Sequence, residues 1–191
     1  MDKINKKLNI PNKLTIFRFI IAFLIMILFV LELDFKFLII LSLFSTGVIT
    51  DALDGYLARN YFEITTFGKL MDPLADKVLL VVVLIGLVEF EMLKGWMVAC
   101  IFAREFMITG LRLLLVSDNQ IISANIWGKL KTIIQMVFVL LLLCGLAFPN
   151  ISIFPTVNSV YAFYLGVIMV FVTLFSGFKY FYTYREFIKD S

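Results

Sequence analysis

Apolar stretches of roughly twenty residues follow one another down this chain, with only short polar breaks between them. A helix of that length crosses the hydrocarbon core of a bilayer, because its backbone N–H and C=O groups satisfy one another within the segment. By length and breaks, the spans are predicted at about 13–33, 36–59, 70–90, 93–116, 128–148 and 157–183. Six such spans nearly exhaust the 191 residues, so residues 1–191 read as one membrane domain with short loops. A soluble domain of this size could not hide a 62% hydrophobic, 16% charged chain with a mean hydropathy of +1.00. The expected fold class is an all-α integral membrane protein of six transmembrane helices, preceded by a short interfacial helix.

That interfacial helix is predicted over residues 2–9, where Lys3, Lys6 and Lys7 accompany Ile4 and Leu8 four apart. A basic tail without structure is the alternative. The basic start and the apolar run from Phe19 to Leu31 look superficially like a signal peptide. Glu32-Leu33-Asp34 follows instead of a cleavage site, so the run reads as an uncleaved first span. Of the 17 Lys and Arg residues, six spans with a cytoplasmic N-terminus leave only Lys36 and Lys94 at the outer side, and Arg104 mid-span. This asymmetry fits the positive-inside rule and predicts a multi-pass cell-membrane protein with both termini cytoplasmic. Cys100 and Cys144 lie in apolar runs and read as small buried hydrophobes. With no His in the chain, schemes that need a His base or a zinc-binding His have no residue to use.

Residues 51–77 carry four carboxylates inside or beside this apolar sequence: Asp51, Asp54, Asp72 and Asp76. Carboxylates at a membrane edge are costly, and each needs a cation or a hydrogen-bond donor. On helices, Asp51 and Asp54 share a face, as do Asp72 and Asp76. Residues 60–67 can turn the chain between the two segments, so the pairs would face each other across a helical hairpin. Hard oxygen ligands in such a cluster suit two Mg²⁺ or Mn²⁺ ions, an arrangement fitted to phosphoryl chemistry. Salt bridges to Arg59, Lys69 or Lys77 are the bland alternative. They leave the two glycines and the excess of acid unexplained.

The pattern Asp51-x2-Asp54-Gly55-x2-Ala58-Arg59-x8-Gly68-x3-Asp72-x3-Asp76 resembles, at every position, the signature of the CDP-alcohol phosphotransferases. The resemblance implies that Asp51, Asp54 and Asp72 are ligands in the metal and CDP site. It implies that Asp76 is the general base, near the second ion, and that Arg59 contacts a phosphate. Gly55 and Ala58 would leave room for the nucleotide on one helix, and Gly68 on the facing one. Chemistry agrees on the base, because a carboxylate is the proton acceptor left in a site without His. The resemblance further implies a homodimer. No nucleic-acid partner is expected.

Outside the signature, Arg18, Arg104, Arg112, Lys129 and Lys131 form a candidate binding set for an acceptor phosphate, which calls for charge-assisted contacts. Snorkelling of Arg18 to the headgroups and a purely structural Arg104–Glu105 network are the alternatives. Asn12 and Thr15 continue a polar stripe with Arg18, and Thr109 and Gln135 are further supporting polar residues. Pro11-Asn12-x-Leu14-Thr15-x2-Arg18, Arg104-Glu105, Thr109-Gly110-Leu111-Arg112 and Gly128-Lys129-x-Lys131-Thr132-x2-Gln135 resemble the bacterial CDP-diacylglycerol–glycerol-3-phosphate 3-phosphatidyltransferases. Thr109 stands where many of those have Ser. This narrower resemblance implies CDP-diacylglycerol and sn-glycerol 3-phosphate as substrates, and phosphatidylglycerol phosphate and CMP as products. The rivals are the same chemistry with inositol phosphate or phosphatidylglycerol as acceptor and, in another class, a carboxylate-lined cation transporter. A transporter would place its acids near the midplane, whereas these cluster at one end of their spans.

Overall fold

The computed structural model describes residues 10–60, 66–117, 126–157 and 159–185, and every regular element among them is an α-helix. The helices are α1 (Ile10–Val30), α2 (Lys36–Asn60), α3 (Thr66–Glu89), α4 (Gly95–Ser117), α5 (Ile126–Ala147) and α6 (Val160–Thr183). Each coincides with a predicted span to within four residues. The interfacial helix expected over residues 2–9 lies outside the described residues.

Three of the six, over Lys13–Val30, Gly128–Ala147 and Val160–Thr183, are long and apolar enough to cross a membrane. The other three carry the charged motifs: Asp51 and Asp54 on α2, Asp72 and Asp76 on α3, and Arg104, Glu105 and Arg112 on α4. Those charges lower the mean hydropathy of otherwise apolar helices. Large apolar side chains such as Phe23, Phe106, Phe171 and Phe178 stand exposed along the helices. Water would penalise such a surface and lipid does not, which marks a membrane protein.

The chain divides between Gly86 and Leu87, near the end of α3, into two compact units. In the first, α1 packs on α2, with Ile21, Ile25, Ile40 and Phe44 buried in this unit. Small residues draw α3 in. A methyl group on Gly47 of α2 would lie 2.6 Å from a Leu79 methyl, and one on Gly86 of α3 would run into the Phe29 ring. Backbones brought this close gain the dispersion contacts that hold helices together where water supplies no driving force.

In the second unit α6 packs on both α4 and α5. The turn into α4 folds back on the end of α3, with the Leu87 carbonyl accepting from the amides of Met92 and Leu93 at 2.9 and 3.2 Å. Ser159 caps α6, its hydroxyl accepting from the Ala162 amide at 3.1 Å. That bond satisfies one of the donors a helix start leaves open. The aromatic exit of α6 divides in two. Phe178 and Tyr182 face outward, whereas Tyr180 is buried and packs on Tyr184 with ring centres 4.8 Å apart.

Candidate active site

Two carboxylates of the acidic signature converge in the first unit. Asp51 sits well inside α2 and Asp76 well inside α3, and both reach the guanidinium that α1 contributes through Arg18. Arg18 Nη1 donates to Asp51 Oδ1 at 2.5 Å and lies 2.6 Å from Asp76 Oδ1. One nitrogen therefore serves the first and the last acid of the motif. Arg18 is 1% exposed, whereas the two acids keep 48% and 32% of their side-chain surface open. A buried cation with half-open anions around it leaves one net negative charge facing outward. Thr15, one turn before Arg18 on the same helix, is fully buried and continues the polar stripe.

Asp54 lies one turn after Asp51 in α2, and Asp72 one turn before Asp76 in α3. Their side chains, with those of Asn12, Ala58 and Arg59 and the surroundings of Gly55 and Gly68, lie outside the described residues. Among the described residues no three metal-ligating side chains gather. The two described acids do supply the right donor chemistry. They are hard carboxylate oxygens from two helices, brought together tightly enough to share a single cationic nitrogen.

The second unit holds the opposite arrangement. Glu105 of α4 pairs with its neighbour Arg104, whose Nη1 donates to Oε1 at 2.8 Å, and with Lys131 of α5, whose ammonium donates to the same oxygen. Arg104 Nη2 goes on to the Ser176 hydroxyl of α6 at 2.9 Å. One carboxylate thus holds two cations and ties three helices, leaving a net positive charge. Gly177 makes the crossing of Arg104 over α6 feasible, since a methyl group there would lie 2.9 Å from Arg104 Cγ.

The remaining candidates spread along the same helices. Arg112 is exposed, two turns beyond Glu105, and lies 5.9 Å from the centre of the Tyr180 ring. Lys129 is exposed in the first turn of α5. Thr109 bonds back to the Glu105 carbonyl of its own helix at 2.7 Å. Gln135 is buried, and so is Thr173, which no sequence motif singles out. Ser176 and Gly177 belong to no motif either. Hydroxyls and glycines are ordinary in apolar helices, and the only signal these two give is that they stand side by side in α6. Arg18, grouped by sequence with the phosphate-binding cations, has its guanidinium on the two acids.

A family model described as CDP-alcohol phosphatidyltransferase matches residues 8–177, most of the chain and all of both charge clusters. The chain belongs to the CDP-alcohol phosphatidyltransferase family. Among its relatives, a Bacillus subtilis protein named CDP-diacylglycerol–glycerol-3-phosphate 3-phosphatidyltransferase is 38% identical over 196 residues, covering 96% of this chain and 98% of its own length. A Rickettsia typhi protein of the same name is 34% identical over 173 residues, covering 91% of this chain and 95% of its own. A Mycobacterium tuberculosis protein named probable phosphatidylglycerophosphate synthase is 43% identical over 108 residues, about half of each chain. As a CDP-alcohol phosphatidyltransferase, the chain is a transferase.

Proposed function

We propose that this enzyme transfers the phosphatidyl group of CDP-diacylglycerol to sn-glycerol 3-phosphate, giving phosphatidylglycerol phosphate and CMP. The observation that carries the reading is the meeting of Asp51 and Asp76 on one cation, which gathers the two ends of the acidic signature at a single place. The acceptor is supported by near-full-length likeness to relatives that bear that activity in their names.

Asp51, Asp54, Asp72 and Asp76 would hold two divalent ions, Mg²⁺ or Mn²⁺, which when bound neutralise the diphosphate and stabilise CMP as leaving group. Gly55, Ala58, Arg59 and Gly68 would take part in binding the CDP moiety. The Asp76 carboxylate takes the proton of the acceptor hydroxyl. That oxygen bonds to the phosphorus bearing diacylglycerol, and the bond from this phosphorus to the CMP oxygen breaks. The acceptor's own phosphate rests among Arg104, Arg112, Lys129 and Lys131, while Arg18 keeps Asp51 and Asp76 together.

In this reading the chain is a single phosphatidyltransferase domain whose six helices all span the cell membrane. Both termini and the active site face the cytoplasm, and the enzyme works as a homodimer. The positive-inside asymmetry supports the orientation. The test is CMP release by the purified full chain in lipid, with CDP-diacylglycerol, Mg²⁺ and a panel of acceptors. Product with glycerol 3-phosphate and none with inositol phosphate or phosphatidylglycerol is expected. The absence of product with glycerol 3-phosphate would overturn the acceptor, and ion flux without nucleotide release would overturn the reaction class.

A further inference from the structure

Below the Glu105 network, toward the middle of the helices, lie two polar side chains that no described protein group satisfies. Gln135 stands one turn after Lys131 on α5, and Thr173 stands one turn before Ser176 on α6. Both α5 and α6 are long and apolar enough to cross a membrane, and consecutive crossing helices run in opposite directions. Both steps therefore lead the same way, from the helix ends inward. Each residue is 1% exposed. Among the described residues, neither the amide nitrogen and oxygen of Gln135 nor the hydroxyl of Thr173 has a hydrogen-bond partner. Leaving such groups unpaired in an apolar interior costs about 1–3 kcal/mol each. The arrangement suits a ligand that brings its own donors and acceptors.

We propose that Gln135 and Thr173 form the subsite for the acceptor's non-reacting hydroxyl, beneath the cations that take its phosphate. This rests on the acceptor reading above and extends it to the uncharged half of the substrate. The chemistry is selective. Gln135 brings an amide that donates and a carbonyl that accepts, and the Thr173 hydroxyl does both, which matches an alcohol hydroxyl that is itself donor and acceptor. The spacing fits too, because one helical turn, about 5.4 Å, is close to the reach from a phosphate to the hydroxyl on the middle carbon of a three-carbon chain. A site built to hydrogen-bond a hydroxyl rejects the analogue that lacks it, since its own buried groups are then left unpaired.

The test uses two near-isosteric variants of the full chain in lipid, Gln135→Met and Thr173→Val. Three quantities are measured: KM for glycerol 3-phosphate, the inhibition constant of n-propyl phosphate, which lacks the hydroxyls, and the thermal midpoint. In each variant KM is expected to rise roughly tenfold while the propyl phosphate constant holds. The midpoint is expected to stay or rise, because an unpaired buried polar group has gone. The inference falls if KM and the inhibition constant move together, if neither moves, or if the midpoint drops, which would mean a structural network. Thr173→Val carries the test alone should Gln135→Met not fold. If the unmutated enzyme makes no product from glycerol 3-phosphate, the acceptor reading fails first and this subsite fails with it. That outcome is distinct from turnover with unaltered selectivity.

Discussion

The two units of this molecule solve the same problem with opposite signs. Around Arg18 one buried cation gathers two carboxylates, and around Glu105 one carboxylate gathers two cations. The first cluster is left with a net negative charge and the second with a net positive one. The difference lies also in where water or a ligand can reach. In the first cluster the hub is sealed and its partners are open at 48% and 32%, whereas in the second Lys131 is sealed at 4% and the hub at 15%. A negative pair with an open edge is fitted to draw metal ions. A buried positive group fits a phosphate that must shed its water first. Charges committed to these clusters also explain why α2, α3 and α4 keep residues that cost them hydropathy.

The largest effect is expected from breaking the chemistry of the negative cluster. Asp76→Asn is predicted to lower CMP release about a thousandfold, in the range of a lost general base. It is expected to spare CDP-diacylglycerol binding more than Asp51→Asn does. Equal loss of binding in both variants would remove Asp76 from the role of base. A smaller effect comes from removing each hub in turn, read by thermal unfolding in detergent or lipid. Glu105→Gln removes the buried negative charge that faces Lys131 and Arg104 and is expected to cost about 3–5 kcal/mol, the usual penalty for breaking a buried ion pair from one side. Arg18→Met leaves two acids that water can reach, so its loss is expected to be smaller. A larger loss at Arg18 would reverse the contrast drawn between the units. The smallest effect separates two glycines of the second unit. Gly177→Ala presses on Arg104 and is expected to cost about 1–3 kcal/mol, whereas Gly110→Ala, with open space around it, is expected to gain about 0.5–1 kcal/mol from helix propensity. Equal shifts at the two positions would deny Arg104 its tight seat.

Much of this is legible in the amino-acid sequence alone. Runs of apolar residues broken by Pro, Gly and charge give helix positions reliably, because a backbone in lipid has few alternatives. The convergence of Asp51 and Asp76 follows from their placement on two helices joined by a short turn. The partner of Arg18 is not legible. Its stripe with Thr15 shows that one face of α1 is polar but not which helix will cover that face. Arg104 and Glu105 advertise a network without naming Lys131, twenty-six residues on, as its third member. Thr173, Ser176 and Gly177 give almost no sign, since in an apolar helix a hydroxyl can bond to its own backbone and a glycine can simply be small. Pairings between helices depend on rotation and tilt, which local pattern does not encode.

The hub at Glu105 makes helix position a chemical variable. The network it anchors rides on α4, α5 and α6, and a slide of an ångström or two by any one of them would part a pair that short-range contact holds. Bilayer thickness and lateral pressure act on such slides. Turnover measured across lipids of graded chain length would then record the mechanical state of the membrane that the enzyme's own products build.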